Sequence, residues 1–362
     1  MSNTHPTVFV DAMGGDRAPR VNVVGALLVT LEKTDIRIVL VGDEAKIRPI
    51  LSSEAKKNKG SKPGLIEVHH TPDAIEMDEH PVQAVRQKKN ASLNVAMRLA
   101  ASTPHSAFIS AGNSGAALAS AIMHMKRIEG VERPAIAAPL PTTRTGFLLL
   151  IDAGANTVCK SSHLVQWAIL GSEYFRTLIP GSKGTVGVLS NGSEDSKGTD
   201  LTQETNAILK ILQDRNVFPP NTYQGYIEGG RLFHGNFDVV VCDGFTGNLV
   251  LKSLEGLATA VVDMLKKEIK SDWLAVIGAF FAMRALRKLK RRTDYAEVGA
   301  SPLIGVNGHA FISHGRSTSK AIKNGILRAA ASARTDLPLR LKKAIQDAES
   351  RMPKDGELTP AK

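Results

Sequence analysis

The chain has 362 residues, 43% of them hydrophobic, 22% charged and 5% aromatic, a balance that excludes a disordered or fibrous protein and suits one large α/β domain or two lobes. Its formal net charge of +11 points to an acidic partner, and nucleic acid, an anionic membrane or an acidic protein would each fit. No recognition helix, zinc module or aromatic-rich RNA motif accompanies the charge, so nucleic acid is set aside.

In chain order, short apolar runs rich in β-branched residues alternate with helical patterns. Residues 7–11 are expected as a strand and 19–33 as a helix; residues 36–42 as a second strand, followed by a helix over 43–57; and residues 65–69 as a third strand. Residues 107–110 lead into a helix over 114–126. Residues 147–152 and 186–189 read as apolar strands, and 237–243 as another, followed by a long helix from Thr246. Such near-continuous apolar strands between helices predict an α/β fold with a mainly parallel sheet covered on both faces. No clean linker interrupts residues 1–335, which are expected as one catalytic unit, and residues 336–362 as a C-terminal helix with a polar tail.

Five of these strands end in the same chemistry. Asp11 is followed by Gly14, Gly15 and Asp16, and Ser110 by Gly112, Asn113, Ser114 and Gly115. Asp152 is followed by Gly154 and Asn156, Leu189 by Asn191, Gly192 and Glu194, and Asp243 by Gly244, Thr246, Gly247 and Asn248. Ligands of parallel sheets sit at carboxyl strand ends, so the five are expected to converge on one crevice. Glycine turns before helices offer backbone N–H groups to an anion, although any one of them also reads as an ordinary strand-to-helix turn.

Further candidates stand beside these turns. Lys197 lies in a strand-end loop among acidic residues, suited either to an anion or to plain solvation. Arg86, Lys88 and Lys89 form a basic cluster that also reads as a solvated helix face. His314, before a helix opening near Arg316, suits a general base, an anion contact or a structural role. Cys159 and Cys242 fit no metal-ligand spacing and no disulfide framework, which implies a reducing compartment, and the N-terminus shows no signal-peptide pattern. The run from Trp273 to Met283, with Phe280 and Phe281, is too short to span a bilayer. Arg284, Arg287, Lys288, Lys290, Arg291 and Arg292 follow it, which suits an interfacial helix on anionic lipid, while a buried helix or a dimer interface is the plainer reading.

Taken together, these motifs closely resemble the bacterial phosphate acyltransferase family, the PlsX proteins of phospholipid synthesis. The resemblance runs from Val8 to Ala331 and rests on eight stretches in order: 11–19, 110–116, 133–136, 152–156, 189–198, 226–229, 241–248 and 314–317, without departure at any of them. It implies conversion of acyl-[acyl carrier protein] and inorganic phosphate to acyl phosphate without a cofactor or metal. It also implies a homodimer at the inner face of the cytoplasmic membrane that supplies a membrane acyltransferase. The implied fold is similar to those of isocitrate and isopropylmalate dehydrogenases and of phosphate acetyltransferase, with a protruding helical hairpin over 254–292. By motif, Lys197 falls on the family's loop lysine and Asp243 and Asn248 on its Asp-Gly-Phe-Thr-Gly-Asn turn. Lys197, Asn248 and Asp243 are therefore the catalytic candidates. Gly14, Gly15, Asp16, Asn113, Ser114, Asn156, Glu194, Thr246, Gly247 and His314 are the candidates for binding phosphate or substrate. Trp273, Phe280, Phe281, Arg284, Arg287 and Lys288 are the candidates for membrane or carrier contact. Two other readings fit the motifs less well. A nicotinamide-dependent dehydrogenase of similar fold would want a Gly-x-Gly-x-x-Gly after the first strand, which this chain lacks. A membrane-bound scaffold for acyl carrier protein has no need of a polar crevice.

Overall fold

The computed structural model describes residues 5–353 except 145, 180 and 294, together with Glu357; the side chains of residues 290–293 and 295 lie outside the described set, and with them Lys290, Arg291 and Arg292 of the basic run. The first half of the chain comprises β1 (Thr7–Asp11), α1 (Arg20–Glu32), β2 (Arg37–Gly42), α2 (Glu44–Lys57), β3 (Ile66–His70), α3 (Pro81–Gln87), α4 (Ser92–Ser102), β4 (Ser106–Ser110) and α5 (Ser114–His124). There follow β5 (Ala135–Pro141), β6 (Phe147–Ile151), α6 (Ser161–Leu178), β7 (Val186–Ser190), α7 (Asp200–Asp214), β8 (Tyr223–Glu228) and β9 (Val239–Val241). The chain closes with α8 (Gly244–Ser271), α9 (Trp273–Thr293), α10 (Tyr295–Val298), β10 (Ser301–Ile304), β11 (Ala310–Ile312), α11 (Ser319–Ala333) and α12 (Leu337–Ser350).

The strands form one 11-stranded sheet in the order β3-β2-β1-β4-β11-β10-β5-β6-β9-β7-β8. β1 and β4 are buried at every position because helices cover both faces. On one face α1, α2 and α11 supply Val23, Leu27, Ile47 and Ile322; on the other α4 and α5 supply Leu93, Met97 and Ala117. The second half repeats the arrangement, with α6, α7 and α12 on one face and Val250, Leu251 and Leu254 of α8 on the other. The helix at 337–350 is thus part of the core, through Leu337, Leu341 and Ile345.

Pairing is mainly parallel, as expected, but β11–β10, β10–β5 and β5–β6 are antiparallel. β6, β9, β7 and β8 therefore run against β1, β2, β3 and β4. The five strand ends therefore do not leave one edge of the sheet together. The carboxyl ends of β1, β4 and β11 lie at one edge of the sheet, and those of β6, β7 and β9 at the opposite edge.

Helix α8 spans 28 residues, a rod about 42 Å long at 1.5 Å per residue. Beyond Gly247 none of its residues is buried, and none of the described side chains of α9 is buried. The two helices form the expected protruding hairpin. Among the described residues no helix is long and apolar enough to cross a membrane.

Candidate functional site

At the first edge, the parallel registers pair Val10 with Ile109 and Ser110 with Ile312, and Asp11 meets Ser110 just beyond. The Asp11 carboxylate is buried and accepts the hydroxyls of Ser92 and Ser110, each at 2.6 Å, and the backbone N–H of Met13 at 3.2 Å. Burial pushes this carboxyl above its ordinary range, and those hydrogen bonds oppose the shift. Gly14 packs against Asp11, Ser110 and Gly112, while Gly15 takes a left-handed φ of +104°, which glycine adopts at no steric cost. Asp16 donates its N–H to the Gly315 carbonyl at 2.9 Å, and Asn22 Nδ2 holds the carbonyls of Ala12 and Gly14, both at 2.9 Å. Asn113 accepts Ala116 N–H as the cap of α5, and its Nδ2 donates to the carbonyls of Met77 and Glu79. Its amide is spent on building the turn, whereas Ser114 beside it is exposed. Of the basic cluster, Lys88 pairs with Glu79 at 2.6 Å.

The second edge is organised by Asp152, which is fully buried. Its Oδ1 accepts the N–H groups of Ile136, Gly154 and Ala155, and its Oδ2 accepts the backbone N–H and the side-chain Nδ2 of Asn156. Burial raises this carboxyl too, against the pull of those donors. Asn156 Nδ2 also donates to the Pro134 carbonyl at 2.9 Å, so this amide is likewise committed to the fold. Asp243 caps α8, accepting Thr246 N–H at 2.9 Å and the Thr246 hydroxyl at 2.7 Å. A methyl on Gly247 would overlap the carbonyl oxygen of Asp152, so only glycine lets α8 dock there. Asn248 follows, exposed and packed over Gly154. Cys159 and Cys242 flank this turn; burial raises both thiols.

The loop after β7 carries Lys197. Asn191 Oδ1 accepts Gly198 N–H at 2.9 Å and Glu194 O accepts Lys197 N–H at 3.0 Å, which folds the loop back on itself. Lys197 and Glu194 are exposed and both reach over Gly192; Asp195 instead pairs with Lys210 at 2.6 Å. Among the described residues the Lys197 ammonium makes no ion pair. A polar cavity of about 870 Å³ opens behind this loop at the outer edge of β8, lined by Arg144, Asp195, Lys210, Tyr226 and Arg231 among others, and it holds none of the sequence-derived candidates.

The two edges are joined by α8. It starts at the Asp152 turn, and its Lys252 Nζ comes within 3.3 Å of His314 Nε2 in the loop after β11. Lys252 and Glu255 escaped the sequence reading because a long amphipathic helix gives no sign of which solvent-side charges meet another loop. Ser92 escaped it because its partner lies 81 residues away. The membrane candidates are on the hairpin, where Trp273, Phe280 and Phe281 are 71%, 72% and 80% exposed and Arg284, Arg287 and Lys288 are exposed as well.

Residues 7–340 match the family described as fatty acid synthesis protein. A protein of Pelotomaculum thermopropionicum named phosphate acyltransferase is 45% identical over 342 residues, 94% of this chain and 96% of that one. One of Geobacter sulfurreducens with the same name is 48% identical over 320 residues, 88% of each. Among solved structures, a phosphotransacetylase from Streptococcus pyogenes superposes with a TM-score of 0.58 at 15% identity, covering 91% of this chain and 94% of that one. A 4-hydroxythreonine-4-phosphate dehydrogenase from Klebsiella pneumoniae gives 0.50 at 13% identity, over 91% of this chain and 100% of that one. At such identities the likeness is one of fold.

Proposed function

The chain belongs to the phosphate acyltransferase family, enzymes that transfer an acyl group to phosphate, and on that premise we propose that its donor is a fatty acyl thioester of acyl carrier protein. The observation that carries the reading is the match over residues 7–340. The product, acyl phosphate, would feed a membrane acyltransferase of phospholipid synthesis. Phosphate is already an oxyanion near neutral pH, so it attacks the thioester carbonyl directly, the C–S bond breaks and the carrier's thiolate leaves to take a proton from solvent, and the reaction as written needs no cofactor. The protein must hold phosphate against the thioester and stabilise the carbonyl oxygen as charge develops on it. Backbone N–H groups around Gly14–Gly15 and Asn113–Ser114 would hold phosphate at the first edge; α8, which joins the two edges, would carry the amide of Asn248 toward it from its first turn, and the exposed Lys197 would meet the developing charge from the loop after β7. Asp243 and Thr246 act by fixing that turn. The test is to incubate the protein with acyl carrier protein thioester and phosphate and trap acyl phosphate with hydroxylamine; hydroxamate should form only when both substrates are present.

The same reading places the enzyme, as a homodimer, on the cytoplasmic face of the membrane through the α8–α9 hairpin. Support comes from the exposed apolar residues of α9 and the arginines and lysines that follow them, a pairing that suits anionic lipid. Changing Phe280 and Phe281 to serine should abolish flotation with anionic vesicles and leave turnover on free carrier protein within about twofold, since exposed substitutions cost about 0.5 kcal/mol or less in stability. Undiminished flotation would remove the hairpin from membrane binding.

A further inference from the structure

Lys252, Glu255 and His314 meet where α8 crosses to the first edge of the sheet. His314 Nδ1 accepts the backbone N–H of Arg316 at 3.1 Å, which assigns the proton of the neutral ring to Nε2. Nε2 then lies 3.3 Å from Lys252 Nζ and 3.8 Å from Glu255 Oε2, while Lys252 Nζ is 3.0 Å from the same oxygen. Two donors, one from each half of the sheet, thus stand side by side and face one carboxylate oxygen. The three side chains are 37–53% exposed, so solvent reaches the spot and Glu255 has room to swing away. The neighbouring Gly315 carbonyl holds Asp16 N–H, so the pair adjoins the Gly14–Gly15 turn.

We propose that Lys252 and His314 bind the phosphate substrate, one of its oxygens accepting both Lys252 Nζ–H and His314 Nε2–H, and that the Glu255 carboxylate competes with phosphate for these two donors. A phosphate dianion outbids a single carboxylate because it brings twice the charge and further oxygens for the surrounding N–H groups. The pair also requires both sheet edges to be in place before phosphate is held. This inference rests on the acyl-to-phosphate reading and adds two residues to it.

The experiment measures the phosphate KM and the acyl carrier thioester KM of Lys252→Met and Glu255→Gln. Lys252→Met keeps the aliphatic stem and should raise the phosphate KM about tenfold or more, the worth of one charge-assisted hydrogen bond. Glu255→Gln should lower it by about two- to fivefold, the range of an exposed ion pair. The thioester KM should hold in both. If the trio merely fastens α8 to the loop, both variants move the same way, and that result overturns the proposal. A change confined to the thioester KM assigns the donors to the phosphodiester of the carrier's arm and overturns it equally. Unchanged constants in both variants, with wild-type protein active, sink this inference alone; a wild-type protein that makes no acyl phosphate sinks the functional reading first.

Discussion

Asp11 and Asp152 both end a buried apolar strand and both hold a glycine-containing turn, yet they do so with different partners. Asp11 is held chiefly by the hydroxyls of Ser92 and Ser110, which come from other elements, so its carboxylate ties α4, β4 and the first turn together. Asp152 is held only by N–H groups, most of them from its own turn, and α8 packs on that turn through Gly247. A hydroxyl can reverse from donor to acceptor and a backbone N–H cannot. The first edge should therefore tolerate chemical change that the second does not.

The largest effect is expected from Gly247→Ala. Its methyl meets backbone that cannot yield, so unfolding free energy should fall by about 3 kcal/mol or more, read as a lower urea midpoint. An unchanged midpoint would show that α8 can slide and that the second edge yields. Asp152→Asn comes next, because its new NH₂ would face N–H donors; the loss should be about 2–3 kcal/mol. Lys197→Ala should lower turnover by about 10²-fold, the scale of one oxyanion stabiliser, with no change in thermal midpoint; near-normal turnover would remove Lys197 from the mechanism. Asp11→Asn is expected to be mildest, about 1 kcal/mol, because the serine hydroxyls can turn to accept. Equal losses for the two Asp→Asn variants would erase the distinction between the edges.

Much of the strand pattern was legible in the chain. Residues 7–11 and 147–151 are strands because unbroken β-branched and aliphatic runs have no other way to bury both faces. Asn113 and Asp243 were legible as turn residues, and both cap helices. β5, with Pro139 and Pro141, was not legible as a strand. Those prolines sit where β5 pairs only with β6, because β10 reaches only Ala135 and Ile136. β10 and β11, of 4 and 3 residues, are too short to carry a period. The roles of Asn113 and Asn156 could not be read either, since an amide bound to a carbonyl across the fold looks in sequence like one offered to a ligand.

From the sequence alone came the apolar strands, the glycine and Asp or Asn chemistry at their ends, the loop that carries Lys197 and an apolar run followed by basic residues. These depend on side-chain period and turn preference, which act over a few residues. Only the tertiary structure decided which strand ends share an edge, because the antiparallel joins around β10 and β5 reverse the second half of the sheet. Only it brought Lys252 to His314, 62 residues apart, because that meeting depends on where a long helix crosses the sheet. The turn after Asp11 is thereby one side of a site whose other side arrives on α8.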